Sequence, residues 1–191
     1  CLDFEIFSRY DLHMDHVDTI LEQWGRERPD LDVQPMGLIG RVKRLAGQLL
    51  NEMEATFAEH GLNHANFDVL ATLRRAGTPY RLSPGELIAC TMVTSGTMTN
   101  RIDQLVKAGY VQRISNPNDG RSVLIGLTEA GFQLIDAAVS DHVATQRRLT
   151  DGLTQSEFNR LNRLLSKYLQ VLEPSNPSSE SHQPKTRDNT Q

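Results

Sequence analysis

Apolar side chains recur along this chain at helical spacing in seven stretches, and one short region between the fifth and the sixth turns to strand-like composition. Val17, Ile20, Leu21 and Trp24 make one face of an amphipathic segment that follows Met14. Met36, Ile39, Val42, Leu45, Leu49, Met53 and Phe57 mark a long amphipathic helix, and Phe67, Leu70 and Leu73 a shorter one that ends before Gly77-Thr78-Pro79. Past the strand-like region, Thr128 caps a helix carrying Phe132, Ile135, Val139 and Val143. The last helix opens on Thr154-Gln155-Ser156-Glu157, a capping box, and carries Phe158, Leu161, Leu164, Leu165, Tyr168 and Leu172.

The region from Ser83 to Thr128 is the most informative. Ser83-Pro84-Gly85-Glu86 supplies a serine N-cap, a proline at the first helical position where its missing N–H costs nothing, and a glutamate that closes a capping box. Leu87, Ile88 and Met92 are expected to face inward. Thr94-Ser95-Gly96-Thr97 then offers a capping hydroxyl and a glycine for a tight turn into a second helix. At about 100° per residue, Met98, Ile102 and Leu105 of that helix share one stripe. Gly96, Asn100, Asp103 and Lys107 fall opposite, flanked by Thr97, Thr99 and Gln104.

Ala108-Gly109 stops the helix, Tyr110–Ile114 is predicted as a strand, Asn116 to Gly120 reverse the chain, and Ser122–Leu127 return as the partner strand. Helix, turn, helix and two-stranded wing form a winged helix-turn-helix. The hydrogen-bonding face of the second helix suits a major groove about 12 Å wide. Ser95, Thr97, Thr99, Asn100 and Gln104 are therefore the candidates for base and backbone contact, with Arg113 and Arg121 for phosphate or a narrow minor groove. Asp119 suits DNA only as a support that holds Arg121. A solvated helix face and a solvated turn with a chance ion pair are the plain alternatives.

Leu82-Ser83-Pro84-Gly85-Glu86-Leu87, Val93-Thr94-Ser95-Gly96-Thr97-Met98-Thr99-Asn100-Arg101-Ile102 and Asp119-Gly120-Arg121 followed by Leu127-Thr128 resemble the core of MarR-family transcriptional regulators. The resemblance covers about residues 36 to 172. It implies a homodimeric repressor that binds inverted-repeat operators and releases them when a small molecule binds. Gly120 stands where an arginine is common, which removes one phosphate contact.

Composition adds limits. The chain has 191 residues, 38% of them apolar, with neither a 20-residue apolar run nor a signal peptide, so a cytoplasmic protein with no membrane partner is expected. Its net charge of −4 is unevenly spread. Residues 1–35 carry 3 basic and 9 acidic side chains, residues 36–172 carry 15 and 12, and residues 173–191 carry 2 and 3. The core is thus mildly basic, adequate for DNA if Arg113, Arg121 and Lys107 cluster. Cys1 and Cys90 are too few for a disulfide framework or metal cluster; Cys90 is expected to be a small buried residue, with a redox switch as the alternative. The six histidines lack metal-ligand spacing, His13 and His16 at i, i+3 being the nearest approach. No nucleophile elbow, phosphate-cradling glycine loop or carboxylate pair points to an enzyme, and no cofactor is expected.

The expected organisation is mainly α with a small β-wing. Residues 1–13 form a non-native or disordered leader, 14–35 an extra N-terminal helix, 36–62 and 129–172 dimerisation helices, 63–128 the DNA-binding lobe and 173–191 a disordered tail. Homodimerisation also matches a palindromic site with half-sites about 34–36 Å apart. A winged helix that binds another protein is the alternative class.

The extra helix with Trp24, Asp68 and Arg75 seven residues apart, and Arg101 in the recognition helix resemble the urate-responsive branch of the MarR family, which implies a pocket for urate, xanthine or a related purine. Phenolic or aromatic acids, or oxidation, are the other effectors to consider. Asp68 and Arg75 lie two helical turns apart, about 10 Å by rise, and are expected to line one cavity. Arg101 lies about 60° off the inward stripe, where it connects cavity to groove. In that reading an anionic ligand pairs with Arg75 and disturbs an Asp68–Arg101 contact. Structurally, Trp24 would be a staple for the extra helix and Asp68 and Arg75 surface charges.

Overall fold

The computed structural model describes residues 14–91, 95–117 and 119–173, and of residues 95–97, 120 and 121 the backbone alone. Within these, the order is α1 (His16–Glu27), α2 (Gln34–Glu59), α3 (His64–Arg75), β1 (Arg81–Leu82), α4 (Pro84–Cys90), α5 (Ser95–Lys107), β2 (Val111–Asn116), β3 (Asp119–Leu127), α6 (Glu129–Thr150) and α7 (Gln155–Leu172). The chain divides into two compact units, Cys1–Gln146 and Arg147–Gln191. The expected leader and tail, apart from Glu173, fall outside the described residues, as do the inward Met92 and the capping hydroxyl of Thr94.

Helix starts follow local chemistry. Asp15 and Asp18 close a capping box on α1, Asn63 caps α3 through the Asn66 amide, Ser83 and Glu86 close the box on α4, and Thr154 and Glu157 that on α7. The Ser83 backbone amide holds the Glu86 carboxyl below its ordinary range, aided by the Ser83 hydroxyl. Thr128 does two jobs at the entry to α6. Its hydroxyl donates to the Gly109 carbonyl at 2.7 Å, ending α5, and accepts from the Gly131 amide at 3.0 Å, starting α6. Gly131 is compelled by packing: a Cβ there would stand 1.9 Å from the Tyr110 carbonyl oxygen.

The core of the first unit gathers Phe57 of α2, Phe67, Val69, Leu70 and Leu73 of α3, Leu87 of α4, Met98, Ile102 and Leu105 of α5, Val111 and Ile125 of the sheet, and Ile135 and Ala138 of α6. α5 therefore turns its apolar stripe inward, which leaves its other side to solvent. The sheet is antiparallel in the order β1-β3-β2. Two differences from expectation stand out in it. A third strand, the two residues Arg81–Leu82, pairs with β3. The wing strands also run on into residues read as turn: Asn116 pairs with Asp119 past an irregularity at Ser115/Asn116, so Pro117 and residue 118 alone lie between them. Side-chain hydrogen bonds pin the irregular end, from Asn116 to the Ser122 hydroxyl at 2.9 Å and from Ser122 to the Asp119 carbonyl at 3.1 Å.

Not every apolar stripe is covered. On α2, Leu38, Val42, Leu45 and Leu50 are exposed and, of the helix's apolar side chains, Phe57 alone is fully buried. α7 in the second unit has no buried residue, although Phe158, Leu161, Leu165 and Leu169 share its apolar side. Cys90 is exposed rather than buried, and Ile88 is exposed too. The reason is the brevity of α4: a seven-residue helix reaches the core through Leu87 alone.

Candidate nucleic-acid interface

α5 offers the surface on which a duplex would be read. Met98, Ile102 and Leu105 anchor it, each at most 3% exposed. Thr99, Asn100, Asp103, Gln104 and Lys107 are exposed. Ser95 and Thr97, expected to contact DNA from the first turn, belong to residues whose side chains are not described, and so does Arg121 at the wing. At that wing Asp119 is exposed and its carbonyl accepts the Ser122 hydroxyl.

Arg113 is engaged within the chain. Its guanidinium donates to the Asp103 carboxylate at 2.6 Å, which ties β2 to the exposed side of α5. Of the expected cluster of Arg113, Arg121 and Lys107, the Arg121 side chain lies outside the described residues, and Arg113, held by Asp103, presents its remaining N–H donors to a phosphate. A carboxylate ten residues upstream on another element left no periodic signal in the sequence.

Of the four effector candidates, two meet. Asp68 on α3 is nine-tenths buried, and Arg75 Nη1 lies 3.9 Å from its Oδ1. Arg75 also donates through Nη2 to the Cys90 carbonyl at 2.5 Å, so it spans from the ion pair to the C-terminus of α4. Arg101 on α5 is half-buried, with its Nε enclosed and without a hydrogen-bond partner. Trp24, 42% exposed on α1, shares no hydrogen bond or ring contact with Asp68, Arg75 or Arg101 among the described residues. A 590 Å³ groove between α1 and α2 includes none of the four.

Arg74, beside Arg75, serves the scaffold. It lies 4.5 Å from the Phe132 ring and 5.2 Å from the Tyr80 ring and donates to Asp136 at 2.7 Å, bracing α3 against α6. At the other end of α3, the rings of Phe57 and Phe67 stack at 4.2 Å, and His142 packs on both at 5.1 and 5.0 Å. Burial, and then the charge of His64, push the His142 imidazole below its ordinary value. Among the described residues no three of His, Cys, Asp or Glu come together as a metal site, and no helix is long and apolar enough to cross a membrane.

A capped short helix, a buried-stripe second helix with a polar outer face, and a three-stranded wing define a winged helix-turn-helix of the DNA-binding class. Comparison with known proteins agrees. A family model described as MarR family matches residues 60–122. The regulator PecS of Dickeya dadantii is 39% identical over 151 residues, spanning 79% of this chain and 91% of that protein. The multiple antibiotic resistance protein MarR of Escherichia coli is 34% identical over 142 residues, spanning 72% of this chain and 93% of that protein. Among solved structures, a mutant MarR from E. coli complexed with operator DNA superposes with a TM-score of 0.61 at 29% identity, covering 72% of this chain and 95% of that one. The chain belongs to the MarR family of DNA-binding transcriptional regulators.

Proposed function

We propose that this regulator is a cytoplasmic homodimeric repressor of inverted-repeat DNA, released by a small anionic purine such as urate or xanthine. The observation that carries the DNA reading is the anchoring of Met98, Ile102 and Leu105, which leaves Asn100 and Gln104 outward on α5. Dimerisation is supported by the uncovered apolar rows of α2 and α7, since contiguous exposed apolar surface marks interaction sites.

The release step rests on Arg75. A purine anion near α3 competes with Asp68 and the Cys90 carbonyl for its guanidinium. Drawing Arg75 away removes the tie to α4 and strips Asp68 of its counter-charge. Weakening the counter-charge of a largely enclosed carboxylate raises the free energy of that arrangement and biases a two-state equilibrium away from it. Arg101, with an unpartnered Nε, is the cation to which Asp68 then turns, and Arg101 belongs to the recognition helix.

Binding of the full chain to duplex DNA from upstream of its own gene, titrated with urate and xanthine, tests this. The native protein should release DNA with purine; Arg75→Ala, which deletes the same tie to α4, should bind DNA weakly with or without purine, whereas Arg101→Ala should keep its DNA affinity yet lose the response at least tenfold. Release that is insensitive to both substitutions, or no release at millimolar purine, contradicts the effector assignment.

A further inference from the structure

α1 packs on α2 through two glycines and then leaves the same face of α2 open. A Cβ at Gly37 would stand 3.0 Å from Leu21 Cδ1, and one at Gly40 3.3 Å from Val17 Cγ1, so both glycines let α1 approach closely. Gly47 continues their face, yet a Cβ there would meet nothing within 4 Å. A mid-helix glycine weakens a helix relative to alanine. At Gly37 and Gly40 packing offsets that cost, whereas at Gly47 no contact within the described residues does. The result is the open 590 Å³ groove, lined by Val17, Ile20, Leu21 and Met36 and, a turn beyond Gly40 on α2, by Lys43 and Arg44, and continuing to Gln48 and Asn51.

The groove's chemistry is one-sided. Its lining holds no acid, its one ring is the His16 imidazole, and Lys43 and Arg44 make no ion pair or hydrogen bond among the described residues. Arg41 differs, since its guanidinium is committed to Asp15 at 2.9 Å and Asp18 at 2.5 Å. From Met36 to Lys43 and Arg44 the helix rises about 11 Å, a length that a medium alkyl chain spans. The exposed row Leu38, Val42 and Leu45 lies about half a turn away around α2, at 100° per residue, so a dimer built on that row leaves the groove open.

We propose that this groove binds a linear aliphatic carboxylate of medium chain length, its chain along Val17, Ile20, Leu21 and Met36 and its head at Lys43 and Arg44. The site is separate from the Asp68–Arg75 pair and independent of the purine response. An alkyl chain fills an elongated aliphatic trough along its length and adds contacts that hold α1 on α2, which a flat purine cannot do.

Isothermal titration of the full chain with decanoate, below its micelle concentration, provides the test, with decyltrimethylammonium as the cation of matching chain. Decanoate should bind once per chain, saturating urate should not displace it, and the cation should not bind. Gly47→Leu, which fills the floor of the groove, and Lys43→Glu with Arg44→Glu should each weaken decanoate at least tenfold while melting temperature and subunit number stay native. Absence of saturable decanoate binding, equal binding of the cation, or native affinity in either variant overturns the proposal. A change of subunit number in Gly47→Leu also overturns it, because the groove would then be a contact between chains.

Discussion

Arg113 and Asp103 stand 2.6 Å apart across the junction of wing and recognition helix. Both side chains are about half exposed, so the pair contributes at most about 1 kcal/mol to stability. Its effect on DNA is larger than its effect on folding, because it places a carboxylate on the face that approaches phosphates and occupies a guanidinium that would otherwise meet them. Asp103→Asn is therefore expected to tighten duplex binding and steepen the fall of affinity with salt by about one unit of log–log slope, and Arg113→Gln to weaken binding with a shallower slope. Fluorescence anisotropy over a salt series checks this. Unchanged slopes in both variants would remove Arg113 from the interface.

Gly131 of α6 has the least room for a side chain among the described glycines. The Tyr110 carbonyl oxygen fills the space of a side chain there, and backbone cannot yield as a flexible side chain can. Gly131→Ala should lower stability by about 3 kcal/mol or more, a drop of roughly 6–12 °C in melting temperature for a protein of this size. Calorimetry decides; a native melting temperature would mean that the start of α6 shifts freely.

Legibility from sequence followed the range of the interaction. Capping boxes span four residues and helical stripes repeat within a turn or two, so α4, α5, α7 and the direction of Asn100 and Gln104 could be read directly. β1 could not, because two residues carry no period, and its pairing depends on Gly126 and Ile125 more than forty positions on. The Arg41 latch to Asp15, the Arg74 brace to Asp136 and the Asp103–Arg113 pair depend on chain reversals that no local pattern encodes. The exposure of Cys90 is not legible from its small, helical neighbours, because burial depends on how many turns α4 makes.

His142 should make the protein acid-sensitive. Its imidazole sits on Phe57 and Phe67, its Nδ1 is enclosed without a partner, and Gln146 lies at 2.9 Å from Nε2. The charged group facing it from α3 is His64, while α2 presents the Phe57 ring. Because folding lowers its pKa, the folded state holds fewer protons than the unfolded chain. The stabilisation is complete above the ordinary imidazole value of about 6.5 and is lost as pH falls below it. Melting temperature should drop between neutral pH and pH of about 5, and His142→Phe should flatten that drop. A variant as acid-sensitive as the native chain would place the titration elsewhere.

The carboxylate caps act in a lower window. Serine and threonine hydrogen bonds hold Glu86 and Glu157 below the ordinary glutamate value, as Arg41 does for Asp15, so their contribution is present above the carboxylate range and disappears as pH falls through it. Glu86→Gln should leave melting near pH of about 6 almost unchanged and reduce the further loss of stability below about 4. A pH series of melting curves separates this window from that of His142.

The central claim is that the outward side of α5 reads duplex DNA. Its most direct test is the affinity of the Asn100→Ala, Gln104→Ala double variant for upstream duplex and for a scrambled duplex of equal length. Both side chains are exposed, so the variant should melt and assemble as the native protein does. It should lose about 2–6 kcal/mol on the upstream site, at 1–3 kcal/mol for each base contact, and almost nothing on the scrambled one. Native affinity and native discrimination in that variant would contradict the account.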